Sequence, residues 1–452
     1  MKSLPKSSQL PCHRYEGSQQ GLVDYHNNTD IRRHIRGIDM SHRYSGVTTR
    51  LLDRDERLID TEEPTPLVIE RRGSSGSLGF LREFLSSNSS EIVMDIATHG
   101  AVLLRGFDLR SPQDFESATL AISNFQGINE CLMSEPGREV VKGTRFVLHT
   151  NNLYRTGGSL YLGGFHSENY YSPDVPSYIS FFCEQASQIG GETGLVNAAK
   201  LFSELPEALK TELKQRAYWV AAWPLAKMAS RYGVNAQQME QFCLDSGLPV
   251  VTQHGQKYAS MYKPCVIEHP ITKEHALAFN YSVELMKSGL DRAIQRVFLP
   301  DYSSKEWLLH RLSWRFPLIG VLDKLDVLSR DPGTVWRTLF RKSFDACVGE
   351  IFSKEATGLL ATSIRNRYSS FKWRAGDVLI IDNLKMAHSG MPGSGARTLR
   401  VLICNPIRMR YDSKGPGVHV VSVDSHHPTL GAQLSVRRKI KQDRSGQEMG
   451  SG

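Results

Sequence analysis

Apolar positions along the chain fall into short runs, each closed by Gly, Pro, Asn or Asp. Gly100-Ala101-Val102-Leu103-Leu104-Arg105-Gly106-Phe107 is aliphatic and ends in a glycine turn, which predicts a buried strand. Tyr178-Ile179-Ser180-Phe181-Phe182-Cys183, Val378-Leu379-Ile380-Ile381-Asp382-Asn383 and Thr398-Leu399-Arg400-Val401-Leu402-Ile403-Cys404 read the same way. Leu67-Val68-Ile69-Glu70 and His275-Ala276-Leu277-Ala278-Phe279-Asn280 predict shorter strands. Helical spacing runs from Phe80 to Ile96, from Leu201 to Trp223 and from Asn235 to Ser246. Ser111-Pro112-Gln113-Asp114 starts another helix, with serine as the cap and proline at the first helical position. Arg374-Ala375-Gly376-Asp377 is a turn, and Gly390, Pro392, Gly393 and Gly395 place His388 at the edge of a loop.

Residues 145–170 alternate apolar and polar groups and lead into Phe165-His166-Ser167-Glu168-Asn169. On a strand, positions two apart share a face, so His166 and Glu168 are expected side by side. A second histidine from elsewhere would complete two imidazoles and one carboxylate around a metal, the facial triad of non-haem Fe(II) oxygenases. The triplet alone is a weak signal, better read as an ordinary surface strand, and the three ligands would also suit a non-redox metal such as zinc on a cupin-like barrel. His388 is the candidate third ligand, following Asp382-Asn383 and preceding Arg397 and Arg400. It lies far along the chain, and a Greek-key or jelly-roll barrel is the fold that brings such distant strands together.

Composition narrows the field. The chain has 452 residues, of which 40% are hydrophobic, enough for a sizeable core. No run of eighteen or so apolar residues is present, so no transmembrane helix is expected, and the basic start Met1-Lys2-Ser3-Leu4-Pro5-Lys6 lacks the apolar stretch of a secretory signal. The 7 cysteines are scattered, with no Cys-x-x-Cys pair, against a disulfide framework or a thiolate zinc site and in keeping with a reducing cytoplasm. The net charge of +8 raises a nucleic-acid partner. However, the excess gathers near the ends, at Arg32, Arg33 and Arg36 and at Arg437, Arg438, Lys439, Lys441 and Arg444, with no nucleic-acid-binding motif beside it. Residues 1–60 read as a polar extension, residues 285–372 as a charged, helical excursion, and residues 423–452 as a basic, disordered tail.

The chain resembles the taurine dioxygenase-like (TauD/TfdA) branch of Fe(II)- and 2-oxoglutarate-dependent oxygenases. The resemblance rests on Val102–Phe107, Phe165–Asn169, Gly190-Gly191-Glu192-Thr193, Gly376-Asp377 through Asp382-Asn383, and His388 followed by Arg397 and Arg400, all in family order. His166-x-Glu168, where many members carry His-x-Asp, is similar to the clavaminate synthase-like subgroup. The resemblance implies an α+β fold with a β-rich core: a double-stranded β-helix (jelly-roll) over residues 61–422, with flanking helices and the excursion as an insertion. It implies Fe(II) on His166, Glu168 and His388, with 2-oxoglutarate as cosubstrate and O₂ as oxidant. It implies that Thr193 and one of Arg397 and Arg400 hold the far carboxylate of 2-oxoglutarate. The two arginines are three positions apart, so on a regular strand they face opposite sides; Arg397 is favoured. Glu168 fills the position that halogenating relatives leave open.

Asn151, Asn152, Tyr170 and Asn280 are candidates for the substrate wall, while Asp382 and Asn383 are expected to shape the loop behind the metal. The function implied is hydroxylation, desaturation or cyclisation of a small molecule at an unactivated C–H bond. An amino acid or amino-acid-derived intermediate of secondary metabolism, including antibiotic biosynthesis, is expected, free or tethered to an acidic carrier protein that would meet the basic ends and the excursion. The rival readings are a non-catalytic or non-redox metal-binding protein on the same barrel and a nucleic-acid demethylase of the superfamily.

Overall fold

The computed structural model describes residues 43–435, apart from 62, 74–75, 134–138, 151–164, 170–171, 216, 254, 279–288, 302–307, 309–351, 392, 412–417 and 423–428. Two facing sheets form its centre. The large one runs Val47–Arg50, Leu67–Arg71, Ala101–Arg105, Val378–Asp382, Asp174–Gln185, Thr398–Tyr411 and Val418–Ser422, with Gly127–Ile128 and Leu148–His149 also paired to Thr398–Tyr411. The small one joins Tyr368–Ser369, Thr193–Asn197 and Met386–Gly390. The long strands are antiparallel, whereas Leu67–Arg71 and Ala101–Arg105 are parallel and therefore joined by a helical crossover. This is the jelly-roll barrel with flanking helices that the sequence predicts.

Alternation along each strand sorts the side chains into layers. Ile179, Cys183, Leu379, Ile381, Leu399, Val401 and Ile403 face inward and meet Leu195 and Met386 of the small sheet. Tyr178, Phe182, Val378, Ile380, Leu402 and Cys404 face the other way and pack under helices through Leu81, Phe84, Ile92 and Phe115. Behind the small sheet, Val196 and Ala387 meet a second helical layer that includes Phe202, Met228, Phe242, Ile294 and Leu360.

Several expectations change. The helix predicted over 80–96 is two, Leu78–Ser87 and Ser89–His99. Asn88 separates them at φ −115°, ψ 26°, its amide donating to the Phe84 carbonyl at 2.8 Å. The pattern from Leu201 to Trp223 also breaks, into helices Ala198–Glu204 and Glu207–Gln215 and then strand Ala217–Pro224. The aromatic and β-branched Tyr218, Trp219 and Val220 suit a strand, and the segment pairs with Gln256–Pro264, a partner no local pattern reveals. His388 lies within strand Met386–Gly390, not in a loop.

The domain limits shift as well. Val47–Arg50, inside the expected polar extension, pairs with Leu67–Arg71, and Val47 is buried. Residues 430–435, inside the expected disordered tail, are helical, with Leu430 and Leu434 each only 1% exposed. Two apolar side chains four positions apart give this short segment a face to bury. Of the excursion, Leu290–Val297 and Lys354–Asn366 are described and pack together, while 302–307 and 309–351 lie outside the described residues. Among the described residues no helix is long and apolar enough to cross a membrane.

One buried ion cluster locks the large sheet. Arg105, 2% exposed, donates to both carboxylate oxygens of Asp377 at 3.1 and 2.8 Å, to Glu56 at 2.9 Å and to the Lys372 carbonyl at 3.0 Å. It thereby ties the Ala101–Arg105 strand to the turn that launches Val378–Asp382.

Candidate active site

His388 is placed by register. In the small sheet it lies opposite Leu195, with Gly390 opposite Thr193. His166 joins the same sheet by a single bridge: its N–H donates to the His388 carbonyl at 3.0 Å and the His388 N–H returns to the His166 carbonyl at 2.9 Å. The expected strand through His166-x-Glu168 therefore lasts one residue. The chain turns at Glu168 and Asn169, where Asn169 takes φ +54°. The carboxylate reaches the histidines from a turn rather than by strand alternation.

The three side chains converge. Glu168 Oε2 lies 3.9 Å from His166 Nε2 and 3.6 Å from His388 Nε2. One ligand atom from each of the three lies within 4.8 Å of the others. These separations are too long for hydrogen bonds and short enough for one divalent ion to touch all three. Two imidazoles and a carboxylate match the donor set of a facial iron site. Glu168 and His388 are 2% and 5% exposed and His166 27%, so the cluster opens on the His166 side. The edge-on ring of Phe181, 5.4 Å from that of His388, supplies an apolar wall.

Asn383 holds Glu168 in place. Its Oδ1 accepts the Glu168 N–H at 2.6 Å, and its Nδ2 donates to the Glu168 carbonyl at 3.2 Å and the Pro176 carbonyl at 2.8 Å. A buried side-chain amide thus pairs with the ligand residue's backbone as a neighbouring strand would. Asp382 sits behind it, 2.7 Å from His269 Nε2. His269 Nδ1 accepts backbone N–H groups from Ile271 and Thr272 at 3.3 and 3.0 Å, which assigns the proton to Nε2 and makes it the donor to Asp382. Asn383 thus bonds to the Glu168 backbone and Asp382 to His269, a residue that carries no motif.

The two arginines do separate, though not by strand alternation: Arg397 lies just before strand Thr398–Tyr411, which carries Arg400 and shifts register between Thr398 and Leu399. Arg400 shares the outer face of its strand with Leu402 and Cys404. It is held there by Glu184 at 2.7 Å and His149 Nδ1 at 2.7 Å. Arg397 stands at the other end of the small sheet, donating to the Gly191 carbonyl. A Cβ added to Gly390 would lie 3.6 Å from Arg397 Nη2, and Gly390 pairs with Thr193, so Arg397 and the buried Thr193 share one end of the site. Burial lowers the Arg397 pKa from its ordinary value, with Glu192 opposing the shift. Asn151, Asn152, Tyr170 and Asn280 lie outside the described residues.

The sequence of the family described as taurine catabolism dioxygenase TauD, TfdA family, matches residues 70–297, half of the chain. The chain belongs to this TauD/TfdA family. The match contains His166, Glu168 and Thr193, whereas His388 and Arg397 lie beyond it; the sheet register brings in His388, and Arg397 donates to the Gly191 carbonyl. Membership makes the protein a dioxygenase with iron, 2-oxoglutarate and O₂ as cofactors, and the His166–Glu168–His388 donor set fits the iron.

Among curated proteins, the dapdiamide synthesis protein DdaC of Enterobacter agglomerans is 21% identical over 340 residues, covering 74% of this chain and 90% of that protein. Among solved structures, PvcB, an Fe, alpha-ketoglutarate dependent oxygenase from an isonitrile synthetic pathway, gives a TM-score of 0.41 at 14% identity, over 81% of this chain and 95% of that one. A taurine dioxygenase from Burkholderia xenovorans gives 0.42 at 14% identity, over 86% and 99%.

Proposed function

We propose that this dioxygenase hydroxylates, desaturates or cyclises a small amino-acid-derived molecule in a secondary-metabolic pathway, with iron on His166, Glu168 and His388. The observation that carries the metal assignment is the convergence of those three donors from a bridge, a turn and a strand of the small sheet. DdaC, a synthesis protein for dapdiamide, supports the substrate class. When bound, iron, 2-oxoglutarate and O₂ would together supply the oxidant for a C–H bond, one oxygen atom of O₂ entering succinate as 2-oxoglutarate loses CO₂.

The chain's own groups supply position and charge. Glu168 offsets part of the metal's charge, and Asn383 aims it. Arg397, with a planar fork in a desolvated setting, takes the far carboxylate of 2-oxoglutarate, and the Thr193 hydroxyl donates beside it. Phe181 excludes water on the His388 side, so substrate enters where His166 is exposed. The basic ends would receive an acidic carrier protein bearing the substrate; pulldown of a carrier that is unchanged by neutralising the terminal arginines and lysines would refute that docking mode.

The test of the function is succinate formation by anaerobically purified protein given Fe(II), 2-oxoglutarate and O₂, first alone and then with amino-acid and carrier-bound substrates. Wild type is expected to form succinate and His166→Ala none. Failure of the iron-loaded protein to bind 2-oxoglutarate would overturn the reading.

A further inference from the structure

Lys263 lies on strand Gln256–Pro264, far in sequence from every ligand, and is 2% exposed. A lysine is seldom buried so completely, because removing an ammonium from water costs several kcal/mol unless it is compensated. A methionine would fill much the same space without that cost. The amino group here has a specific target: Nζ donates to the carbonyl of Asn169 at 3.1 Å, a bond that a neutral amine or an ammonium can make. Asn169 directly follows Glu168 and turns the chain in the left-handed region, at φ +54°, a conformation that asparagine tolerates better than most residues with a side chain. Its carbonyl also accepts the Ser172 N–H at 2.9 Å, and its side-chain amide reaches Cys131 Sγ at 2.9 Å. Asp174 supplies the opposing charge that favours the ammonium. Asp174 in turn accepts the Leu430 N–H at 2.9 Å, which links the 430–435 segment to the same cluster.

We propose that Lys263 is a positioning residue for the metal ligand Glu168, holding the Asn169 carbonyl and with it the turn that carries Glu168. The turn is held at two successive residues: Asn383 pairs with the Glu168 backbone, and Lys263 with the next residue's carbonyl. Without Lys263 the Asn169 carbonyl loses a buried donor, and Glu168 no longer points at a fixed spot. The energetic logic is divergent. The buried amino group costs folding stability and contributes to the geometry of the donor set.

This inference rests on the metal assignment proposed above, and the experiment separates the two. Mn(II) affinity is measured by calorimetry for wild type, His166→Ala, Lys263→Met and Lys263→Gln. Metal-free melting temperatures and the visible spectra of the Co(II)-loaded proteins are recorded alongside. Binding by wild type and its loss in His166→Ala establish the metal site independently of Lys263. Lys263→Met is expected to bind Mn(II) at least tenfold more weakly and to change the Co(II) spectrum, with a metal-free melting temperature equal to or above that of wild type. Lys263→Gln, with a donor on a shorter stem, is expected to fall between.

Unchanged affinity and spectrum in Lys263→Met would overturn the proposal. So would parallel loss of stability and affinity in both variants, or failure of both to fold, since Lys263 would then serve the fold and not the ligand. No Mn(II) binding by wild type would overturn the metal assignment and this inference with it.

Discussion

Replacing Asn383 tests how the site is aimed. Its side-chain amide makes three buried hydrogen bonds, two to Glu168 and one to Pro176. Asn383→Ala removes all three and leaves one N–H and two carbonyls without those partners. Each lost bond costs about 1 kcal/mol net, and each group left unpaired about 1–3 kcal/mol. With partial relaxation, a stability loss of about 3–5 kcal/mol is expected. The metal effect is separable because it concerns only the aim of the carboxylate: about 10–100-fold weaker Mn(II) binding. Isosteric Asn383→Asp keeps the acceptor for the Glu168 N–H. It loses both donations when ionised and sets negative charge beside two carbonyls, so it is expected to be as damaging as alanine despite its shape. The assay is thermal unfolding with and without Mn(II), paired with calorimetry. Each tenfold loss in affinity removes about 1.4 kcal/mol of metal-induced stabilisation at saturating metal. Mn(II) affinity within twofold of wild type in Asn383→Ala, or wild-type behaviour of Asn383→Asp, would refute the reasoning.

Arg397→Gln is expected to raise the 2-oxoglutarate Kd of the Mn(II)-loaded protein about 10–100-fold, the value of a charge-assisted pair. Arg400→Met should leave that Kd unchanged, because its guanidinium engages Glu184 and His149 on the other face of the sheet; calorimetry compares the two. Asp377→Ala leaves the buried Arg105 without its bidentate partner and should cost about 3–5 kcal/mol in denaturant unfolding, with little change in Mn(II) affinity. Burial lowers the Lys263 pKa from its ordinary 10.5 to about 7, with Asp174 and Cys131 opposing the shift. Between those values the unfolded chain holds a proton that the folded chain has released, so this group makes stability rise with pH. From pH 6 to 9 its contribution should increase by about 2–3 kcal/mol, and the stability advantage of Lys263→Met should shrink by that amount in parallel denaturant titrations.

Much of the frame was legible because it is local. Ala101–Arg105 and Val378–Asp382 are short aliphatic runs bounded by glycine or turn residues, too short for a buried helix and suited to a central strand. Ser111 caps its helix and Pro112 opens it, as the dipeptide announces. The same local logic failed where the partner decides the state. Tyr218-Trp219-Val220 lies at the end of a helical pattern, yet the neighbouring Gln256–Pro264 strand draws it into a sheet. Residues 430–435 lie in a polar stretch, yet Leu430 and Leu434 find an apolar pocket.

The site divides along the same line. The sequence by itself offered the groups proposed for the chemistry, two imidazoles, one carboxylate, an arginine and a threonine, in an order that a barrel can bring together. Only the tertiary structure decided how they meet. His166 and His388 meet through a single backbone bridge, Glu168 arrives from a turn bonded to Asn383 and Lys263, and Arg397 lies just before the strand whose outer face carries Arg400. Donor chemistry belongs to a side chain and can be read at its position. Aim and register belong to pairs of residues distant in sequence, and they exist only once the backbone has closed around them.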